Sequence, residues 1–207
     1  EGNRGRIDAA IAHLTRATEV ADAPPEEVER LRCFRGQLEV LTGVTPWPEA
    51  VARAEATLAH GRAVGDATTQ CVALQVIAVA HAVAGHGEAT WRAVGDAMRL
   101  LDSGHVAAMS YVIPDAFHAG TLLSLDRIDE ALAAADAART RHVRSGTLTQ
   151  LPLLHMLSAT AHFETGQWDD CLADIEAGEQ VATDIDSHNF TLYFAALAAR
   201  VALRRGD

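Results

Sequence analysis

The sequence predicts an all-α chain, a solenoid of tandem helical hairpins each about forty residues long, with about ten helices over its 207 residues. Three observations predict it. A small residue recurs at a fixed interval, a second set of small residues runs in phase with the first, and two kinds of apolar segment alternate along the chain.

The interval is seen by aligning Arg6-Ile7-Asp8-Ala9-Ala10-Ile11, Pro46-Trp47-Pro48-Glu49-Ala50-Val51, Arg127-Ile128-Asp129-Glu130-Ala131-Leu132 and Gln167-Trp168-Asp169-Asp170-Cys171-Leu172. The small residue falls at 10, 50, 131 and 171, with gaps of 40, 81 and 40, and Gly87-Glu88-Ala89-Thr90-Trp91 fills the copy that the long gap demands. The in-phase set is Ala78, Ala119, Ala159 and Ala199, spaced 41, 40 and 40. Gly85, Gly166 and Gly206 each end a long apolar run.

Each unit then needs two helices. Ile128 to Val143 is amphipathic, with Ile128, Leu132, Ala135 and Val143 at helical spacing among Asp136, Arg139 and Arg141, and it stops at Ser145-Gly146. Gly65-Asp66 and Ser103-Gly104 give the same stop in earlier copies. Val72 to Ala84 and Leu151 to Phe163 are apolar nearly all round, as helices covered on several sides must be. Pro152 suits a first helical turn, whereas Pro114 is expected to kink or delay its helix.

Composition supports the same class and excludes several functions. Apolar residues make up 49% of the chain, mostly Ala, so a continuous core can be buried and helix backbones can approach closely. The net charge of −11 repels phosphate backbones, so direct nucleic-acid contact by this segment is not expected. All 17 basic residues are Arg, which excludes a P-loop and Schiff-base chemistry, both of which need Lys, and also suits a bacterial genome of high GC content. Cys33, Cys71 and Cys171 are odd in number and widely spaced, and read as buried thiols in a reducing cytoplasm. The most apolar stretch, 71–85, is too short to span a bilayer, so no membrane partner is expected. The chain opens without Met in mid-pattern, which reads as one domain over 1–207 cut from a longer multidomain protein, with apolar surface exposed on its terminal helices.

The block Gly166-Gln167-Trp168-Asp169-Asp170-Cys171-Leu172 resembles the Gly-x-Tyr-x-Glu-Ala-Leu heart of a tetratricopeptide repeat, with Ala159, His162 and Gly178 at three further positions of that repeat. The resemblance implies a right-handed superhelix. With a period near 40 it is similar to the superhelical sensor region of MalT-like, large ATP-dependent LuxR-type transcriptional regulators, in which an NTPase module precedes the superhelix and a helix-turn-helix follows. What this implies is a cytoplasmic sensor segment that binds a small effector, a protein or peptide, or other domains of its own chain, without catalysis and without a cofactor. The other reading is a scaffold that joins proteins and holds no small ligand.

The tetratricopeptide concave positions, carried over, are Gln75 and Val79, Ala116 and Gly120, Met156, Thr160 and Phe163, and Tyr193 and Arg200. Of these, Gln75, Met156, Thr160, Phe163, Tyr193 and Arg200 are the candidate binding residues; the same surface could instead be the packed inner core of a tightly wound superhelix. No catalytic or metal-ligating set is expected. Ser110, Ser124 and Ser158 lack a nucleophile elbow. His155 and His162 are seven apart, too far for a one-turn metal pair, and His81 and His162 are repeat-equivalent, which points to packing. Asp169-Asp170 and Glu26-Glu27 lie where helix starts favour carboxylates, and the basic run 139–144 lies in a last turn, where cations are favoured.

Overall fold

A computed structural model describes residues 7–20, 22–109 and 111–206. Among these residues there are ten α-helices and no strand. They divide into two compact units, one running to Pro114 and the other from Asp115.

The first unit holds α1 (Ile7–Ala17), α2 (Pro25–Leu41), α3 (Trp47–Val64), α4 (Ala67–Val83) and α5 (Gly87–Asp102), followed by residues 103–109 and 111–113, which lie outside the α-helices. The second holds α6 (Pro114–Ser124), α7 (Ile128–Ser145), a single 3-10 turn at Leu148–Gln150, α8 (Leu151–Glu164), α9 (Trp168–Asp184) and α10 (Thr191–Arg205). No helix among the described residues is long and apolar enough to cross a membrane.

The repeat phase has a direct structural meaning. Ala10, Ala50, Thr90, Ala131 and Cys171 are each the fourth residue of an odd-numbered helix, and all five are buried. A larger side chain there would hold off the preceding helix. Ala50, for example, packs with Val40 of α2 and Ala80 of α4. The in-phase set lies on the even-numbered helices, with Ala78, Ala119 and Ala159 buried and Ala199 exposed. The all-round apolar segments are α4, buried from Cys71 through Ala80, and α8.

From α2 onward, every helix is followed within a few residues by one with positive φ: Gly43, Gly65, Gly85, Gly104, Asp126, Gly146, Gly166, Asp186 and Gly206. In most cases the next amide folds back on the helix, as His86 N to the His81 carbonyl at 2.9 Å, Arg127 N to Leu122 at 3.0 Å and Gln167 N to His162 at 2.9 Å. These are Schellman closures, which satisfy carbonyls the helix end would otherwise orphan. Asp126 holds φ 59° with a side chain that glycine lacks. Asp126→Gly should therefore gain about 1 kcal/mol, seen as a thermal midpoint about 2–4 °C higher by circular dichroism.

Two local expectations are corrected. Pro114 kinks nothing: it is the buried first residue of α6, and its missing N–H is no loss at a helix start. The start of α6 is indeed delayed, to Pro114. The inward stripe of α7 is Ala131, Ala135, Ala138 and His142; Val143 is exposed. The alanines let neighbouring helices close in, and His142 turns inward because a buried carboxylate meets it. All three cysteines are buried. On α10, Leu192, Tyr193 and Leu203 are exposed apolar side chains.

Candidate functional site

Gln75 projects from the middle of α4, is 1% exposed and makes no contact with solvent to speak of. Its Nε2 donates to Gln37 Oε1 of α2 and to the Tyr111 carbonyl, both at 2.9 Å. Its Oε1 accepts from Ile113 N at 2.7 Å. One side-chain amide thus holds a backbone carbonyl and a backbone N–H two residues apart.

The rest of the segment is held by the same two helices. Ala107 N donates to Thr68 Oγ1 at 2.9 Å, the Tyr111 ring lies 5.0 Å from that of Phe34, and the Tyr111 hydroxyl reaches Glu27 Oε1 at 3.4 Å. Burial, with the Glu27 charge beside it, pushes the Tyr111 phenol up to about 12. Below it, Arg30 ties Glu27 to Asp66, which caps α4 by accepting from Thr68 N at 2.9 Å and Thr69 N at 3.1 Å. Burial raises the Asp66 pKa, but the Thr69 bonds and Arg30 outweigh it and leave it lowered. The face predicted to bind through Gln75 therefore already holds a strap of its own chain.

The other candidate residues belong to the second unit. Phe163 is core: with Ala159 of α8, Cys171 and Ile175 of α9, and Phe194, Leu197 and Val201 of α10 it forms one buried cluster, against which Met156 packs half-buried. Arg200 lies over the exposed edge of that core, its guanidinium carbon 4.0 Å from the centre of the Phe163 ring, and pairs with Glu164 at 3.3 Å. Thr160 is half-buried and donates to the Met156 carbonyl of its own helix at 2.8 Å. Tyr193 is exposed, its ring 6.4 Å from that of Phe190. The structure thus brings Met156, Phe163 and Arg200 together, leaves Tyr193 open on α10, and places Gln75 in the first unit. Two open depressions lie elsewhere, one of about 590 Å³ along Ala137, Thr140, Arg141, Arg144 and Ser145, and one of about 570 Å³ near Pro25, Glu29, Arg32 and His60.

Two polar networks in the second unit escaped sequence reasoning. Asp115, in the first turn of α6, accepts from His142 Nε2 at 3.2 Å and from Arg141 at 2.9 Å, and Thr147 Oγ1 lies 2.7 Å from His142 Nδ1. The order hydroxyl, imidazole, carboxylate is that of a proton relay, but His142 and Asp115 are both buried, and both ring nitrogens are already engaged. The network's visible work is to bolt the start of α6 to the end of α7. In the second, Asp174 of α9 takes His155 Nδ1 at 2.9 Å, His162 Nδ1 at 3.2 Å and Arg139 at 3.3 Å, the His162 contact lacking hydrogen-bond alignment. The seven-residue histidine spacing is bridged by a carboxylate. Among the described residues, no group of three or more His, Cys, Asp and Glu side chains is placed to hold a metal ion. The signal that was available for His142 is its place in the α7 stripe, eleven residues after Ala131.

Compared with protein-family models, curated proteins and solved structures, the chain matches none.

Proposed function

We propose that the chain is a binding and sensing segment, its hairpins stacked as a right-handed tetratricopeptide-like solenoid, and that it works by holding polypeptide backbone against its even-numbered helices. The observation that carries this reading is the grip of Gln75 on the Tyr111 carbonyl and the Ile113 amide. That grip supports a chemistry suited to backbone rather than to any one side chain. Gln75 and Val79 are repeat-equivalent to Met156 and Thr160, and Thr160 to Arg200. In the first unit that face carries the strap; on α8 and α10, Met156 and Thr160 are half-buried and Tyr193 and Arg200 exposed. An incoming segment would gain apolar contact with Met156 and Tyr193, and a carboxylate on it would compete with Glu164 for Arg200.

The role within a cytoplasmic LuxR- or MalT-like transcriptional regulator, with the segment presented by a partner protein or another domain of the same chain, rests on the resemblance of the repeat. The preference for backbone favours a peptide over a small effector and keeps the scaffold reading beside the sensor reading. Peptides selected by display on the purified chain should bind wild type and lose about thirtyfold or more in a Tyr193→Ala, Arg200→Ala variant, the roughly 2 kcal/mol of an interface hot spot. Both side chains are exposed, so the fold survives the change. Equal affinity by fluorescence anisotropy would move the site off this face. The regulator role fails if the full-length protein neither hydrolyses NTP nor binds DNA.

A further inference from the structure

We propose that His81 and His86 together chelate a borderline divalent metal ion, of the class Zn(II), Ni(II) and Cu(II), through their Nδ1 atoms. The two Nδ1 atoms face each other at 3.4 Å. Nitrogen ligands at about 2.0–2.1 Å from a tetrahedral ion lie about 3.4 Å apart, so the pair is already at chelating distance.

The backbone fixes this spacing. His81 lies in the last turn of α4, and His86 follows the left-handed Gly85 (φ 76°). The Schellman bond joins these same two residues, His86 N donating to the His81 carbonyl at 2.9 Å. The ligands therefore sit on the closing clasp of a helix, and little ordering remains to be done on binding. Trp47, at the start of α3, walls the pair, edge-on to His86 at 4.7 Å and 5.9 Å from His81.

The repeat argues that packing does not require the pair. The same clasp joins Glu39 to Val44, Leu122 to Arg127, and His162 to Gln167. None of these is a pair of metal-ligating imidazoles. His81 has its repeat equivalent in His162, but His86 stands where the later copy has Gln167.

Electrostatics favour the neutral form of His81. Burial first, then the neighbouring His86 and Arg92, lower the His81 pKa, while Glu55 of α3 works the other way. At neutral pH His81 is free to coordinate. Where an Nδ1 carries the ring proton, that proton moves to Nε2 of the same ring on binding, and the ion takes its place between the rings. Water completes the coordination sphere, which makes the site exchangeable rather than structural. This site is independent of the peptide-binding face.

The test uses the full chain labelled with ¹⁵N. The three tryptophans give three indole signals. Sub-stoichiometric Cu(II) should broaden the Trp47 signal before those of Trp91 and Trp168, and Zn(II) should raise the thermal midpoint with increasing concentration. His86→Gln installs the residue of the equivalent clasp at 167 and so keeps the fold. It should weaken Zn(II) binding by at least about tenfold, since even second-shell changes cost roughly 10–100-fold. His81→Gln should do the same. Unchanged Cu(II) broadening of Trp47 in a folded His86→Gln variant would overturn the proposal, as would wild-type protein showing no selective effect at Trp47 with excess metal.

Discussion

Asp115→Ala should cost about 3–5 kcal/mol of folding stability, measured by urea unfolding at pH 7. The carboxylate is buried and accepts from His142 Nε2 and Arg141. Removing it leaves His142 with an unpartnered, buried N–H and leaves Arg141 facing a small cavity. The cost is that of orphaned polar groups more than of lost attraction. Asp115→Asn keeps the shape and should lose less. Its acid profile separates the two effects. Burial raises the Asp115 pKa, but His142 and then Arg141 more than offset this, so the folded value lies below the ordinary one. A lowered folded pKa gives stability that is fully present above the unfolded value, near 4, and is lost as pH falls through the folded value. The gap between wild type and Asp115→Asn should thus be constant from pH 7 to about 5 and narrow below about 4. A gap that stays constant down to pH 2 would mean that the carboxylate's charge contributes nothing.

Gly178→Ala should destabilise the chain by about 1–3 kcal/mol, although in an open helix the same exchange gains up to about 1 kcal/mol. Gly178 lies in the middle of α9, and an added Cβ would run into the Phe194 ring of α10 and come within 3.0 Å of His155 Cβ on α8. Phe194 is fully buried in the cluster around Phe163 and Cys171, so its ring has nowhere to go. Phe194→Leu also destabilises, by opening a cavity. In the double variant the methyl group occupies part of that cavity. The two losses should then fall short of their sum by at least about 0.5 kcal/mol, as contacting residues do. Strict additivity would show that the ring and the glycine do not meet.

How much of this was legible depended on whether the signal was local. The helix stops at Gly65, Gly104 and Gly146 could be read because a left-handed residue is a property of two or three residues. The small positions could be read because a repeat multiplies a weak signal, and Ala50, Ala131 and Cys171 fall at one helical position. Asp126 and Asp186 were missed as stops, since Asp also serves at helix starts. The site was less legible. Gln75 was singled out for its place in the repeat, but no sequence rule says that a segment some thirty-six residues later, around Tyr111, will return to it. Phe163 was placed on a binding face, yet it completes a core whose other members, apart from Ala159 of its own helix, come from α9 and α10. Asp115 and His142 are 27 apart and fit no motif, so only the fold could introduce them.

The left-handed closures also set where the chain can change its length. Each helix is terminated by its own residue, through a hydrogen bond to its own last turn, before any neighbour is consulted. One residue inserted between Ala131 and His142 would turn everything after it by about 100° and carry His142 away from Asp115. The same residue placed just after Gly146 would lengthen a turn and leave both helices as they are. Indel tolerance should therefore be punctuated along this chain, low within helices and high for a residue or two past each left-handed stop. The exception is the stop at Gly104, where the strap that follows is itself held in place by Thr68 and Gln75.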